Sequence, residues 1–311
     1  MSLRIVWPLL MLILWMSFHA TGQPSTVEFK RYDNGPRLDM DIYPPSPSAD
    51  KIEDAYSPLV ICIFGGGFLA GSRTDAVYLP YYKFLTEQGF TVAAIDYRLG
   101  LKDAKKPPSL FNRKPIITAI EIAVQDVYAA TDYLLKHATD LKLDTGKFIL
   151  SGSSAGAITA LQADYEKRNN MKNAKVLPAA FQYAAVVSFA GAIYSREGRP
   201  DYDIAPAPTL FFHGSKDNWV PYNKVSLLGT GVYGSKCLAK RRKKQGYSYC
   251  FYSFENVRHD VAAFPMKEYQ PQIQDFFRDF VFSKRPLFID INIKDLNRKN
   301  SFMRNPSDIY K

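Results

Sequence analysis

One serine stands where chemistry would want a nucleophile. Ser154 is the centre of Gly152-Ser153-Ser154-Ala155-Gly156. Small residues on both sides let a chain turn sharply from strand to helix, and such a turn holds the hydroxyl out where a substrate can reach it. The helix behind it offers unpaired N–H groups, which favour developing negative charge. Five-residue matches also arise by chance in small-residue turns, so the surroundings must agree. Here residues 147–150 read as a strand before the turn, and 158–167 as a helix after it.

A serine hydroxyl needs a base, and the chain has 4 histidines. His19 lies in an apolar N-terminal segment. His137 sits on a long helical stretch. His213 ends a strand before Gly214 and is read as support for the following turn. Elimination leaves His259, in Asn256-Val257-Arg258-His259-Asp260 after the last long strand. A base must in turn be oriented by a carboxylate. Asp217 lies in a strand-end loop that ends in Trp219-Val220-Pro221; Asp201 and Asp203 are alternative acids, and Asp217 could instead cap its turn. Asp260, though next to the base, is not the chosen acid. Gly65-Gly66-Gly67 follows an apolar strand. Its unhindered N–H groups, with that of Ala155, are candidate donors to a substrate oxygen, and a Gly run is equally an ordinary turn.

The elements that must position these residues alternate strand and helix, the pattern of a mostly parallel sheet with crossovers. Residues 27–32 and 38–43 alternate apolar and polar, and read as an antiparallel pair joined through Asn34-Gly35-Pro36. Runs at 59–64, 91–95, 184–189, 209–213 and 247–254 read as further strands. Helical spacing predicts helices over 79–88, 116–141, 235–244 and 265–282, with a Lys/Pro-rich loop at 99–115. No internal repeat or second domain stands out, and residues 23–283 read as one domain.

Arg4, the apolar run from 5 to 18 and the small exit Ala20-Thr21-Gly22 describe a secretory signal peptide over residues 1–22; an uncleaved signal anchor is the alternative. Cleavage near Gly22 implies a secreted or periplasmic protein with no stable membrane insertion. The net charge of +10 gathers in Lys240-Arg241-Arg242-Lys243-Lys244 and in a basic tail, 284–311. The plain reading is a solvated helix face and tail; the other is an anionic partner such as acidic polysaccharide or a membrane surface. No nucleic-acid-binding module is present, and no Cys/His cluster has zinc-site spacing. Cys62 reads as a buried thiol, while Cys237 and Cys250 flank the basic helix and are candidates for a disulfide.

These motifs together resemble a known family. Phe64-Gly65-Gly66-Gly67-Phe68 looks like the His-Gly-Gly-Gly segment of carboxylesterases and hormone-sensitive-lipase-like enzymes, with Phe64 where that family usually has His. Asp96-Tyr97-Arg98-Leu99 is similar to their strand-end Asp-Tyr-Arg-Leu, and Gly152 to Gly156 to their nucleophile turn. His213-Gly214 with Asp217 and Val220-Pro221 resembles the acid loop of α/β-hydrolase esterases, and the order Ser154, Asp217, His259 is theirs. The match runs over residues 37–282. It implies the α/β-hydrolase fold, a mostly parallel central sheet flanked by helices. It also implies a small lid or none, since lids are often inserted where this chain has only 190–208.

The resemblance further implies a serine esterase working through an acyl-enzyme, with Ser154, Asp217 and His259 catalytic. Gly66, Gly67 and Ala155 would be the oxyanion donors, and neither metal nor cofactor is required. A small-molecule or polysaccharide-linked ester, such as acyl or feruloyl groups on carbohydrate, is the expected substrate, with Phe111 in the 99–115 loop as one wall. A serine peptidase of the same fold and a catalytically silent binding protein are the competing classes. The mature chain lacks the long N-terminal propeller of the first, and a complete triad argues against the second.

Overall fold

Strands that are apolar along their whole length have no polar face to turn to water, so they end up between layers of helix. In the computed structural model, which describes residues 24–33, 35–47, 56–104, 113–227 and 229–301, this holds for the centre of the sheet. The expected leader 1–22, Asn34 and Phe111 lie outside the described residues. The chain opens with β1 (Ser25–Arg31) and β2 (Arg37–Tyr43), an antiparallel pair. Then come β3 (Ser57–Ile63), α1 (Leu79–Glu87), β4 (Thr91–Ile95), α2 (Lys114–Lys136), β5 (Leu143–Ser153) and α3 (Ala155–Arg168). After these follow β6 (Ala185–Phe189), β7 (Ala192–Ser195), β8 (Thr209–Gly214), β9 (Lys224–Leu227), β10 (Thr230–Gly234) and α4 (Ser235–Gln245). The chain closes with β11 (Tyr249–Phe254), α5 (Pro265–Glu268), α6 (Gln270–Phe276) and β12 (Phe288–Ile293).

The main sheet has 9 strands in the order β1-β2-β4-β3-β5-β6-β8-β11-β12. Every pair from β4 to β12 is parallel. The order contains the feature that places the site. From β3 the chain crosses by α1 to β4 on one side, then by α2 to β5 on the other. Right-handed crossovers in opposite directions put the two helices on opposite faces of the sheet. The carboxyl ends of β3 and β5 therefore sit side by side with their connections diverging, and such a reversal opens a crevice for ligands.

Several elements differ from expectation, each for a physical reason. The helix expected to run to 141 stops at Lys136, and β5 starts at Leu143. The single helix expected over 265–282 is broken into α5, α6 and a wider π turn at Phe277–Phe282. Pro271 lacks the N–H that would carry the helix through Tyr269. The 190–208 connection holds β7, which pairs with β10, and β10 pairs in turn with β9, in a second, antiparallel sheet of 3 strands. Its strands are short, and β9 is exposed along its length, so alternation gave no signal.

The basic segments are also less free than their charge suggests. Arg242 is 2% exposed. Its Nη1 donates to the Ala207 carbonyl at 2.7 Å, and its guanidinium lies over the rings of Tyr202 and Phe211. Lys243 pairs with Asp290 and Arg241 with Asp201, so the run is not a uniformly solvated face. Within the 284–311 tail, Phe288–Ile293 forms the ninth strand, β12, parallel to β11. Cys237 and Cys250 are free, buried thiols. Alternation along β11 explains why they do not meet. Phe251 shares a face with Phe211, which Arg242 of α4 covers. Tyr252 faces the other way, onto Phe212 and Tyr269, and Cys250, two residues before it, points to that same far side of the sheet. Burial pushes the Cys250 thiol up to about 12.

Because β12 caps the edge strand β11, truncation after Ser283 should uncover an unpaired edge. A loss of about 2 kcal/mol would lower Tm by about 4–8 °C. Thermal melts with light scattering should show a lower Tm and self-association; an unchanged melt with a monomeric product would contradict this role.

Candidate functional site

The site is built where β5 turns into α3. Ser154 occupies that turn with φ 52° and ψ −115°, a backbone region that non-glycine residues seldom adopt. Its neighbours make this geometry possible. A Cβ on Gly152 would collide with the carbonyl of Gly156, and a Cβ on Gly156 with the carbonyls of Ile63 and Phe64. Strand β5, helix α3 and the end of β3 thus meet backbone to backbone. The Ser154 N–H donates to the Phe189 carbonyl at 2.8 Å, which ties the turn to β6. No side chain caps the start of α3.

His259 arrives from the far side of the sheet, at the start of a short 3-10 turn, His259–Ala262. Its Nε2 lies 2.8 Å from Ser154 Oγ, and its Nδ1 lies 2.7 Å from Asp217 Oδ2. A ring nitrogen facing a carboxylate must carry the hydrogen, so Nδ1 donates and Nε2 is left to accept from the Ser154 hydroxyl. Such an arrangement can take a proton from the serine while the carboxylate steadies the charged ring. The Asp217 side chain is fully buried, and its Oδ1 accepts from the amides of Trp219 at 2.8 Å and Val220 at 3.0 Å. Burial alone would raise its carboxyl, but hydrogen bonds and charge from His213 and His259 outweigh that and hold it well below the ordinary carboxylate range. The acid loop and the base loop need Gly214 between them, since a Cβ there would strike the carbonyls of Val257 and Arg258.

The glycine run closes the third side. Gly66 and Gly67 have φ of 117° and 65°, and a Cβ on Gly66 would strike the Ala70 carbonyl. A Cβ on Gly65 would stand 3.3 Å from Ser154 Cβ, so the loop lies directly against the serine. The amides of Gly66, Gly67 and Ala155 have no hydrogen-bond partner among the described residues. Phe64 fills the place where the resembling family has His: its ring packs on Tyr97 at 4.5 Å, and Tyr97 donates to the Phe64 carbonyl at 3.0 Å.

The structure therefore brings together Ser154, His259, Asp217 and the glycine loop. It leaves Asp201 exposed against Arg241, and turns Asp260 to Ser301. Four further residues hold the site, none of them assigned a part in its chemistry from the sequence. Tyr78 accepts from the Gly65 amide at 2.8 Å. Ser153 donates to the Ala262 carbonyl at 2.7 Å, tying the serine turn to the base loop. Trp219 stacks over His259 with ring centres 6.0 Å apart, and His213 lies 3.4 Å from Asp217. Ser153, Trp219 and His213 at least stand inside motifs already marked; Tyr78 carries no sequence signal. Among the described residues, no group of His, Cys, Asp and Glu is placed to hold a metal.

A parallel sheet with a switch point, a strained serine between strand and helix, and an acid and base on later strand-end loops define an α/β-hydrolase. The chain belongs to the BD-FAE family, esterases of this fold, whose model matches residues 40–195. That stretch holds the glycine loop and Ser154, while Asp217 and His259 lie beyond it. Solved structures agree on the fold. Esterase 2 of Thermogutta terrifontis, phosphoramylated by tabun, superposes with a TM-score of 0.62 at 22% identity, over 86% of this chain and 98% of that one. Its apo form gives 0.61 at 22% identity with the same coverage, and its propionate-bound form gives 0.59 at 22% over 84% and 95%. No curated protein matches by sequence.

The depressed Asp217 carboxyl has a consequence for stability. A group with a folded pKa below its unfolded value contributes stability above the unfolded value, near pH 4, and loses it as pH falls toward the folded one. Denaturant titrations from neutral pH downward should show stability declining below about pH 4. Asp217→Asn should flatten that decline; an equally steep decline in the variant would remove Asp217 as its source.

Proposed function

We propose that this protein is a serine esterase that works through an acyl-enzyme on Ser154. The observation that carries the reading is the hydrogen-bonded series Ser154, His259, Asp217, set beside three amides that are unpaired among the described residues. His259 Nε2 takes the hydroxyl proton as Ser154 Oγ bonds to the ester carbonyl carbon. The carbonyl oxygen becomes an oxyanion, held by the amides of Gly66, Gly67 and Ala155. As the oxyanion collapses, the bond to the alcohol oxygen breaks and His259 returns its proton to the leaving alcohol. Water then repeats the sequence, with His259 as base, and releases the acid. Asp217 keeps the ring in the productive tautomer and offsets its charge. Each oxyanion donor in such sites is worth about 2.7–4 kcal/mol.

The substrate we favour is an ester carried on carbohydrate, an acyl or feruloyl group. Two features support this. The link between β6 and β8 is short and folds into the small side sheet, so that link inserts no large cap. The leader read at 1–22 would deliver the enzyme to where polymeric substrates are found.

Turnover of a short-chain aryl ester should fall at least about 10⁴-fold in Ser154→Ala. A fluorophosphonate should label the native protein at Ser154, read by mass spectrometry of the peptide. Wild-type turnover by a folded Ser154→Ala variant would end the assignment. Acetylated xylan, feruloylated oligosaccharide and peptide substrates, run side by side, decide the class: cleavage of the peptide alone would point instead to a peptidase.

A further inference from the structure

Two imidazoles converge on one carboxylate oxygen. Asp217 Oδ2 lies 2.7 Å from His259 Nδ1 and 3.4 Å from His213 Nε2. The mechanism above uses only the first ring. The second is fully buried, with 0% exposure. Its Nε2 also lies 3.2 Å from the Val220 carbonyl oxygen, and its Nδ1 lies 2.8 Å from Ser235 Oγ.

These partners fix the tautomer of His213. Nε2 faces a carbonyl and a carboxylate, both pure acceptors, so it carries the hydrogen. In the neutral ring Nδ1 then keeps its lone pair, and the Ser235 hydroxyl donates to it. We propose that His213 is a positioning residue of the triad. It is a second imidazole that holds Asp217 in line with His259 and does not touch the substrate. This rests on the esterase reading given above.

The ring acts on the carboxylate by two routes. One is direct, the 3.4 Å approach of Nε2 to Oδ2. The other runs through Val220, whose carbonyl accepts from His213 while its N–H donates to Asp217 Oδ1. The amides of Trp219 and Val220 would fix Oδ1 by themselves. Among the described residues Oδ2 would otherwise have only His259, and His259 changes charge in every cycle of the proposed mechanism. A second donor on the same oxygen helps keep the carboxylate aimed through both states. Among the described residues, the titratable groups packed against His213 are Asp217 and Tyr222, whose ring centre is 5.6 Å away. His259 faces it across the carboxylate.

The test is a double-mutant cycle with pH profiles, using the full chain and a short-chain aryl ester. His213→Leu should lower kcat about ten- to a hundred-fold, the value of a hydrogen bond to a charged group, with KM little changed. With one donor fewer, Asp217 keeps more charge for the His259 imidazolium, so the acid limb of kcat/KM should move to higher pH. His213→Gln, whose amide can replace the Nε2 donor, should recover most of both. In an Asp217→Asn background, His213→Leu should cost little more, because its route is gone. Equal losses in both backgrounds would overturn the proposal. So would wild-type kcat in His213→Leu, or a kcat loss with an unmoved acid limb, which marks a merely structural part. Wild-type kcat in Asp217→Asn would instead remove Asp217 as the acid, and the role of His213 with it.

Discussion

The site depends on one close approach of backbones. The end of β5, the start of α3 and the end of β3 pass at separations that admit no side chain at Gly152 or Gly156. Any Cβ there would push strand and helix apart. The turn at Ser154 would then relax from its positive φ, and the hydroxyl would leave the line to His259. The strain of the turn is small beside the packing that enforces it, since β3, β6 and the second half of β5 are buried almost throughout.

Backbone proximity alone would still leave four separate loops. They are joined by side chains that do no chemistry themselves. Tyr78 links α1 to the glycine loop, Tyr97 links the end of β4 to Phe64, and Ser153 links the serine turn to the base loop through Ala262. The Asp96-Tyr97-Arg98 run acts as a brace on both sides. Asp96 takes Arg73, which also pairs with Asp41 of β2, and Arg98 pairs with the buried Asp126 while stacking on Tyr32. A motif that reads as a signature of activity is therefore largely a joint between the opening strands, α2 and the glycine loop.

What could be read from the sequence follows from how local each signal is. The strands β3, β4, β6, β8 and β11 were legible because whole apolar runs have only one place to go. Gly152 to Gly156 and Gly65 to Gly67 were legible because glycine spacing reports backbone conformation directly. Elimination singled out His259 because histidines are few. The side sheet was not legible, since β7 and β10 come from distant segments and β9 shows no periodicity. Nor was β12, whose half-buried strand looks like tail until β11 is there to pair with it. Tyr78 meets Gly65 across 13 residues that carry no periodic signal, and the burial of Arg242 depends on Ala207, 35 residues away in the chain.

The long-range contacts missed by the sequence also close the polar chain of the site. From Ser154 it passes through His259 to Asp217, and His213 continues it to Ser235 at the start of α4. The Ser235 hydroxyl lies 3.3 Å from the carbonyl of Gly191. Gly191 in turn is pressed so close to Ala157 that a Cβ on it would stand 2.8 Å from the Ala157 side chain. Ala157 belongs to α3, the helix that begins immediately after Ser154. The chain of contacts thus returns to the element it started from. A buried carboxylate is costly when its partners can drift, and cheap when every donor around it is tied to the same frame. The short connection after β6 supplies Gly191 to that frame. The same segment that forms the side sheet thereby helps hold His213 and, through it, Asp217 in place.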